Sequence, residues 1–214
     1  MKADNVLLSV APAKLLGDGV EILLRHDHWA LSELLEACAG LTAAQFHQRF
    51  EMGLGSLHAN MVHSIGAKLR WADRVSERAI SASIEMVWPG DLLTDAGGLD
   101  AVHPPVMGAG GKPEYTVGQL AILLEVAHAR IMAAYHEAGA AGTMATVLPI
   151  VLANGTTYYV SPAGALVHVA THGVHHRAQS INMLRQIYKA MGPGGPALPH
   201  SSVMEWQSFG EPVA

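Results

Sequence analysis

Near the C-terminal end of this 214-residue chain, the run HVATHGVHHRAQ sets His168, His172 and His176 four residues apart. At about 100° per residue, four residues return to within roughly 40° of the starting direction, so in a helix these imidazoles stack on one face, a turn apart. Two imidazoles at that spacing can reach a common cation through bonds of about 2.0 to 2.1 Å. Gln179, Met183, Ile187 and Ala190 continue the same face, which predicts that the ladder looks toward a core. Buried imidazoles lose solvation, and either a metal or a hydrogen-bonded polar layer must compensate them. Spacing alone leaves both readings open.

A metal would need a third ligand from another element, and the chain offers His58, His63, His26, His28 and His128 among its thirteen histidines. The elements that would carry them are helices. From Asp18 to about Ala39, Val20, Leu23, Leu24, Leu31, Leu34, Leu35 and Cys38 recur at spacings of three and four, the signature of an amphipathic helix. Asp27 and His28 interrupt that stripe and either turn inward to polar partners or escape to water at the helix edge. Cys38 reads as a small buried hydrophobe, and a single cysteine excludes an intrachain disulfide.

After a short segment opened by Thr42, Gly55-Ser56 supplies a helix start with Ser56 as N-cap, and a second helix runs to roughly Glu77. It is apolar over much of its circumference, and projection sets His58 nearer the centre of the stripe than His63 without deciding between them. Periodicity disappears between Pro89 and Pro113, which reads as a loop or insertion. A third helix spans Val117 to about Ala138. The stretch TVLPIVLANGTTYYV suggests a small hairpin around Asn154-Gly155, a dipeptide suited to a type I′ turn. Pro162 opens a fourth helix that lasts to about Met191, and from Gly192 onward the tail reads as irregular. The expected architecture is mainly all-α: one domain over residues 1–214, built as a four-helix bundle with a small β-hairpin before the last long helix.

Composition excludes several classes. Half the residues are apolar and 14% are charged, which allows a substantial core. A net charge of -5 without a basic run argues against nucleic acid as a partner. Apolar stretches such as Leu120 to Val126 contain a carboxylate or fall short of the roughly 20 residues of a membrane span. The N-terminal run MKADNVLLSVAPAK lacks a signal-peptide core, so a cytoplasmic location is expected.

Three segments in order, LLRHDHWALSELLEACAGLT, GSLHANMVHSIGAKLRWADRV and HVATHGVHHRAQ, resemble the DinB-like superfamily of four-helix metalloproteins, which is distinct from the lesion-bypass polymerase of similar name. Gly55-Ser56 matches the helix start of that pattern, His63 the helix-two ligand, Trp71 and Arg74 the following pair, and His172, His176, Arg177 and Gln179 the last motif. The resemblance thus selects His63 over His58. It implies a divalent transition metal, most often nickel or zinc, held by His63, His172 and His176 with water completing the sphere.

The resemblance further implies a homodimer and a metal-dependent enzyme, a transferase or isomerase acting on a low-molecular-weight thiol. His168, Lys68 and Arg177 are then candidates to orient the small-molecule substrate. A metal-dependent hydrolase, and a non-catalytic stress-related metal binder or interaction protein, are the alternatives. Three positions depart from the pattern: Lys68 stands where an acidic residue is common, Leu31 replaces a frequent asparagine, and Ala178 replaces the usual glycine. His168 and His175 are additional histidines; His175 reads as a hydrogen-bonding neighbour of the ligands. Arg177 and Gln179 also have ordinary structural readings, in an ion pair and a contact between helices.

Overall fold

The computed structural model describes residues 17–90, 104–108, 110–151, 154–193 and 196–210. Four long helices dominate it: α1 (Gly19–Cys38), α2 (Leu57–Val75), α3 (Val117–Ala140) and α4 (Pro162–Met191). Each begins where a side chain replaces the missing intrahelical acceptor. Asp18 accepts from the amides of Val20 and Glu21, Ser56 from Ala59, and Ser161 from Gly164. Thr116 and Gln119 form a reciprocal capping box at the start of α3.

The helices pack as an all-α bundle around Leu31, Leu34, Met61, Ile65, Leu120, Leu123, Leu124, Met183 and Leu184, all at most 3% exposed. A second apolar cluster at the other end joins Leu24, Ala72, Ile131, Leu166 and Val169. Among the described residues, α3 alone would pass by length and composition for a membrane-crossing helix. Its apolar residues Leu120, Leu123, Leu124, Ala127 and Ile131 are instead buried against the other helices. Cys38 is fully buried, as its spacing predicts.

Several local features differ from the sequence reading. Helix α3 continues through Gly139 to Ala140, because the following Gly142 takes the positive φ of 67° at which the chain turns away. A hairpin does form, with β3 (Leu148–Val151) antiparallel to β4 (Thr157–Val160), but Val151 pairs with Thr157, so five residues separate the strands. Gly155 takes φ of 83°. The connection is therefore no two-residue type I′ turn; Asn154 Oδ1 accepts from the Thr156 amide in a side-chain-closed turn.

The segment read as a loop from Pro89 carries a two-residue antiparallel ribbon, β1 (Val106–Met107) with β2 (Pro113–Glu114); residues 91–103 lie outside the described set. The tail is not irregular throughout. A turn at Val203–Glu205 and a wider turn at Trp206–Gly210 bring Trp206, 2% exposed, against His26 of α1, whose Nε2 donates to the Ser201 carbonyl at 3.0 Å.

Candidate metal centre

Helix α2 supplies His63 and helix α4 supplies His172 and His176, and the three side chains converge between the helices. His172 Nε2 lies 3.2 Å from His63 Nε2 and 3.2 Å from His176 Nε2, and the ligand atoms of all three lie within 4.8 Å of one another. Two outer contacts fix the rings. His63 Nδ1 donates to Glu85 Oε1 at 2.7 Å, and His176 Nδ1 donates to Gln179 Oε1 at 3.1 Å. With those protons on Nδ1, His63 and His176 each turn the Nε2 atom toward His172 Nε2 as an acceptor. One proton there can satisfy only one of them, so hydrogen bonding alone leaves the other lone pair without a donor.

A cation at the centre removes that conflict. Bonds of about 2.0 to 2.1 Å in tetrahedral geometry place ligand nitrogens roughly 3.3 Å apart, close to the 3.2 Å that separates His172 Nε2 from each of the other two. Glu85 and Gln179 are then the outer partners that orient ligating imidazoles. Electrostatics favours the ligand form as well. Burial, followed by the neighbouring histidines, pushes His172 down to about 4, and burial followed by His63 lowers His176. Both are neutral at neutral pH, as metal coordination requires. Hydrogen bonding by His63 holds the Glu85 carboxyl below its ordinary value.

The ladder predicted to face the core is graded instead: His168 is exposed, His172 half-buried and His176 buried. His168 packs edge-on against Trp71, with ring centroids 5.0 Å apart, and lies 5.9 Å from the His172 ring. His175 is exposed and contacts the Gln179 side-chain nitrogen at 2.8 Å. His58, left open by spacing, turns elsewhere; its Nε2 accepts from the Tyr115 amide and its ring stacks on His47. His28 and His128 stack on each other with centroids 4.0 Å apart, between α1 and α3.

Lys68 and Arg177 lie behind the triad, 3% and 4% exposed, and share Asp27 of α1. Lys68 Nζ is 2.7 Å from Asp27 Oδ2, and Arg177 Nη1 pairs with Asp27 Oδ1 and donates to its backbone carbonyl. Burial pushes the Lys68 ammonium down to about 7, with the Glu125 carboxylate opposing the shift. Gly173, between the two ligands on α4, makes room for this group: a Cβ there would meet the Asp27 carboxylate, with Cγ at 2.8 Å.

Sequence reasoning missed Glu85, which comes from the irregular stretch after α2, where no periodicity marks it. Arg70 was also unremarked, although it stands seven residues after His63 and therefore on the same helix face. Its Nη2 approaches Glu85 Oε1 at 3.7 Å.

The fold and the site define a four-helix bundle with a three-histidine cluster suited to a divalent metal. The chain belongs to the DinB family, whose pattern matches residues 15–190. DinB-like proteins bind divalent metals, and the cluster fits a metal-binding member. Among curated proteins, none matches the chain.

Proposed function

We propose that this protein is a metal-dependent enzyme in which His63, His172 and His176 hold a divalent ion, nickel or zinc, that activates a low-molecular-weight thiol for S-transfer or isomerisation. The observation that carries the reading is the donor set. Three imidazoles converge with one side toward solvent, where His63 is half-buried and His168 exposed, and among the described residues no fourth Cys, His, Asp or Glu joins them. A structural site normally closes with four protein ligands, whereas three leave a position for an exogenous group. When bound, the ion supplies Lewis acidity, lowering the pKa of a coordinated thiol or water.

The chain's own residues do the rest. Glu85 and Gln179 hold the rings of His63 and His176 with their Nε2 lone pairs inward. In this reading His168, exposed with its ring 5.9 Å from that of His172, accepts the proton that a binding thiol gives up. Lys68 and Arg177, engaged by Asp27, fix the α1–α2–α4 contact from which the ligands project. A cytoplasmic location and a homodimer accompany this reading. The exposed Tyr158, Tyr159 and Val151 of the hairpin offer apolar surface to a second copy.

The test uses protein reconstituted with cobalt(II), titrated with small thiols and followed in the near ultraviolet. A saturable thiolate-to-cobalt charge-transfer band, absent in His172→Ala, is expected. A cobalt spectrum indifferent to every thiol, combined with hydrolysis of activated esters that rises as a bound water ionises, would replace this reading with the hydrolase.

A further inference from the structure

Carboxylate recognition beside the triad cannot come from Lys68 or Arg177, because both are buried and already paired with Asp27. The half-exposed cations are Arg70 and Arg74 on α2. Relative to His63 they stand seven and eleven residues on, which returns each to within about 20° of the same face, roughly 10 and 16 Å along the axis. Side chains on a helix lean toward its N-terminus, so both guanidiniums tilt back toward His63. Arg70 does reach back: Nη1 donates to Ser83 Oγ at 3.2 Å, and Nη2 lies 3.7 Å from the Glu85 oxygen that holds His63. Arg74 lies over the Trp71 ring, 5.2 Å from its centroid, and donates to the Arg70 carbonyl at 3.3 Å. Trp71 in turn meets His168, and His168 meets His172. A continuous wall therefore runs from the triad to Arg74.

The charge along that wall is unbalanced. Among the described residues Arg74 has no carboxylate within ion-pair distance, and Arg70 has only Glu85, which His63 shares. Asp73, next in sequence, is buried and committed to Arg130 and the Ser81 amide. Burial first, then the Arg70 charge, push Arg74 below its ordinary value, with the buried Asp73 carboxylate opposing them. A divalent ion at the triad would deepen the imbalance. Guanidinium forks match carboxylates in bidentate geometry, and an aromatic face beside them suits an extended carbon chain.

We propose that Arg70 and Arg74, with Trp71 and His168 as the connecting wall, form an anion subsite that holds a carboxylate of the ligand whose other end reaches the metal. The subsite rests on the reading of the triad as an open metal centre, and it selects extended, carboxylate-bearing thiols over neutral ones of equal length.

The experiment compares 6-mercaptohexanoate with 6-mercaptohexanol on the cobalt(II)-loaded full chain, in wild type, Arg70→Gln and Arg74→Gln. The wild type is expected to bind the carboxylate about tenfold or more tightly, a preference that fades at high salt. Both variants should retain cobalt stoichiometry and mercaptohexanol affinity while losing most of that preference. Equal binding of the two thiols by wild type, or a preference unchanged in both variants, overturns the subsite. Should neither thiol perturb cobalt, the thiol reading fails and adipate decides the subsite by calorimetry. Adipate binding weakened about tenfold in Arg74→Gln supports it, and no binding or no difference overturns it.

Discussion

At the scale of single residues, Asp27 carries an unusual load, since it is 1% exposed and faces two cations. Removing it leaves Lys68 and Arg177 buried without a counter-charge, and breaking a buried pair in that way costs about 3–5 kcal/mol. Removing Lys68 instead leaves a one-to-one pair between Asp27 and Arg177. We therefore predict that Asp27→Asn lowers stability in chemical denaturation by about 3–5 kcal/mol and Lys68→Met by about 1 kcal/mol or less. Equal losses would show that Lys68 is an obligatory partner. The outer hydrogen bond to His63 gives a second residue-scale prediction. Glu85→Ala should weaken metal binding about 10- to 100-fold while leaving the fold intact, as read by competition with a chromogenic chelator; unchanged affinity would remove Glu85 from the centre.

At the scale of elements, the site depends on how closely α1 approaches α4, and Gly173 sets that distance. A methyl group there must displace the Asp27 carboxylate. Gly173→Ala is expected to cost about 1–3 kcal/mol, the usual range for overpacking, and to lower metal affinity, because His172 and His176 flank the displaced turn; a variant as stable as wild type would contradict the packing. The long helices, the cap at Ser56, Pro162 at the start of α4 and the four-residue spacing of His172 and His176 were legible in the sequence because each is a local pattern. Spacing did not choose His63 over His58, since both sit on an apolar helix; the family pattern made that choice, and the tertiary contacts, with Glu85 for one and Tyr115 for the other, agree with it. An inward turn of Asp27 was one of two open readings, but the partners that decide it were hidden. Its two partners lie on different helices, 41 and 150 positions away in sequence (68 minus 27 and 177 minus 27), beyond the reach of any periodicity.

At the scale of the whole molecule, several imidazoles are buried neutral. Burial pushes His28 and His58 down to about 4 and His128 to about 3. In the unfolded chain each returns to roughly 6.5, so between about pH 6.5 and 4 the unfolded state binds more protons and stability falls as pH falls. Metal-free protein should therefore lose about 5 °C or more in Tm from pH 7 to pH 5. His128→Phe, which keeps a ring against His28, should lessen that loss; an acid response identical to wild type would mean that the stacked pair does not titrate with unfolding.

The same whole-molecule view makes the metal the link between folding and function, since ligands from α2 and α4 meet only in the native bundle. The most direct measurement is metal content by mass spectrometry on untagged wild type, His63→Ala and His172→Ala, prepared in identical buffers. The account predicts close to one divalent transition-metal ion per wild-type chain and its loss in both variants. Wild type that stays metal-free after reconstitution, or variants that retain the ion, would contradict the assignment of this centre.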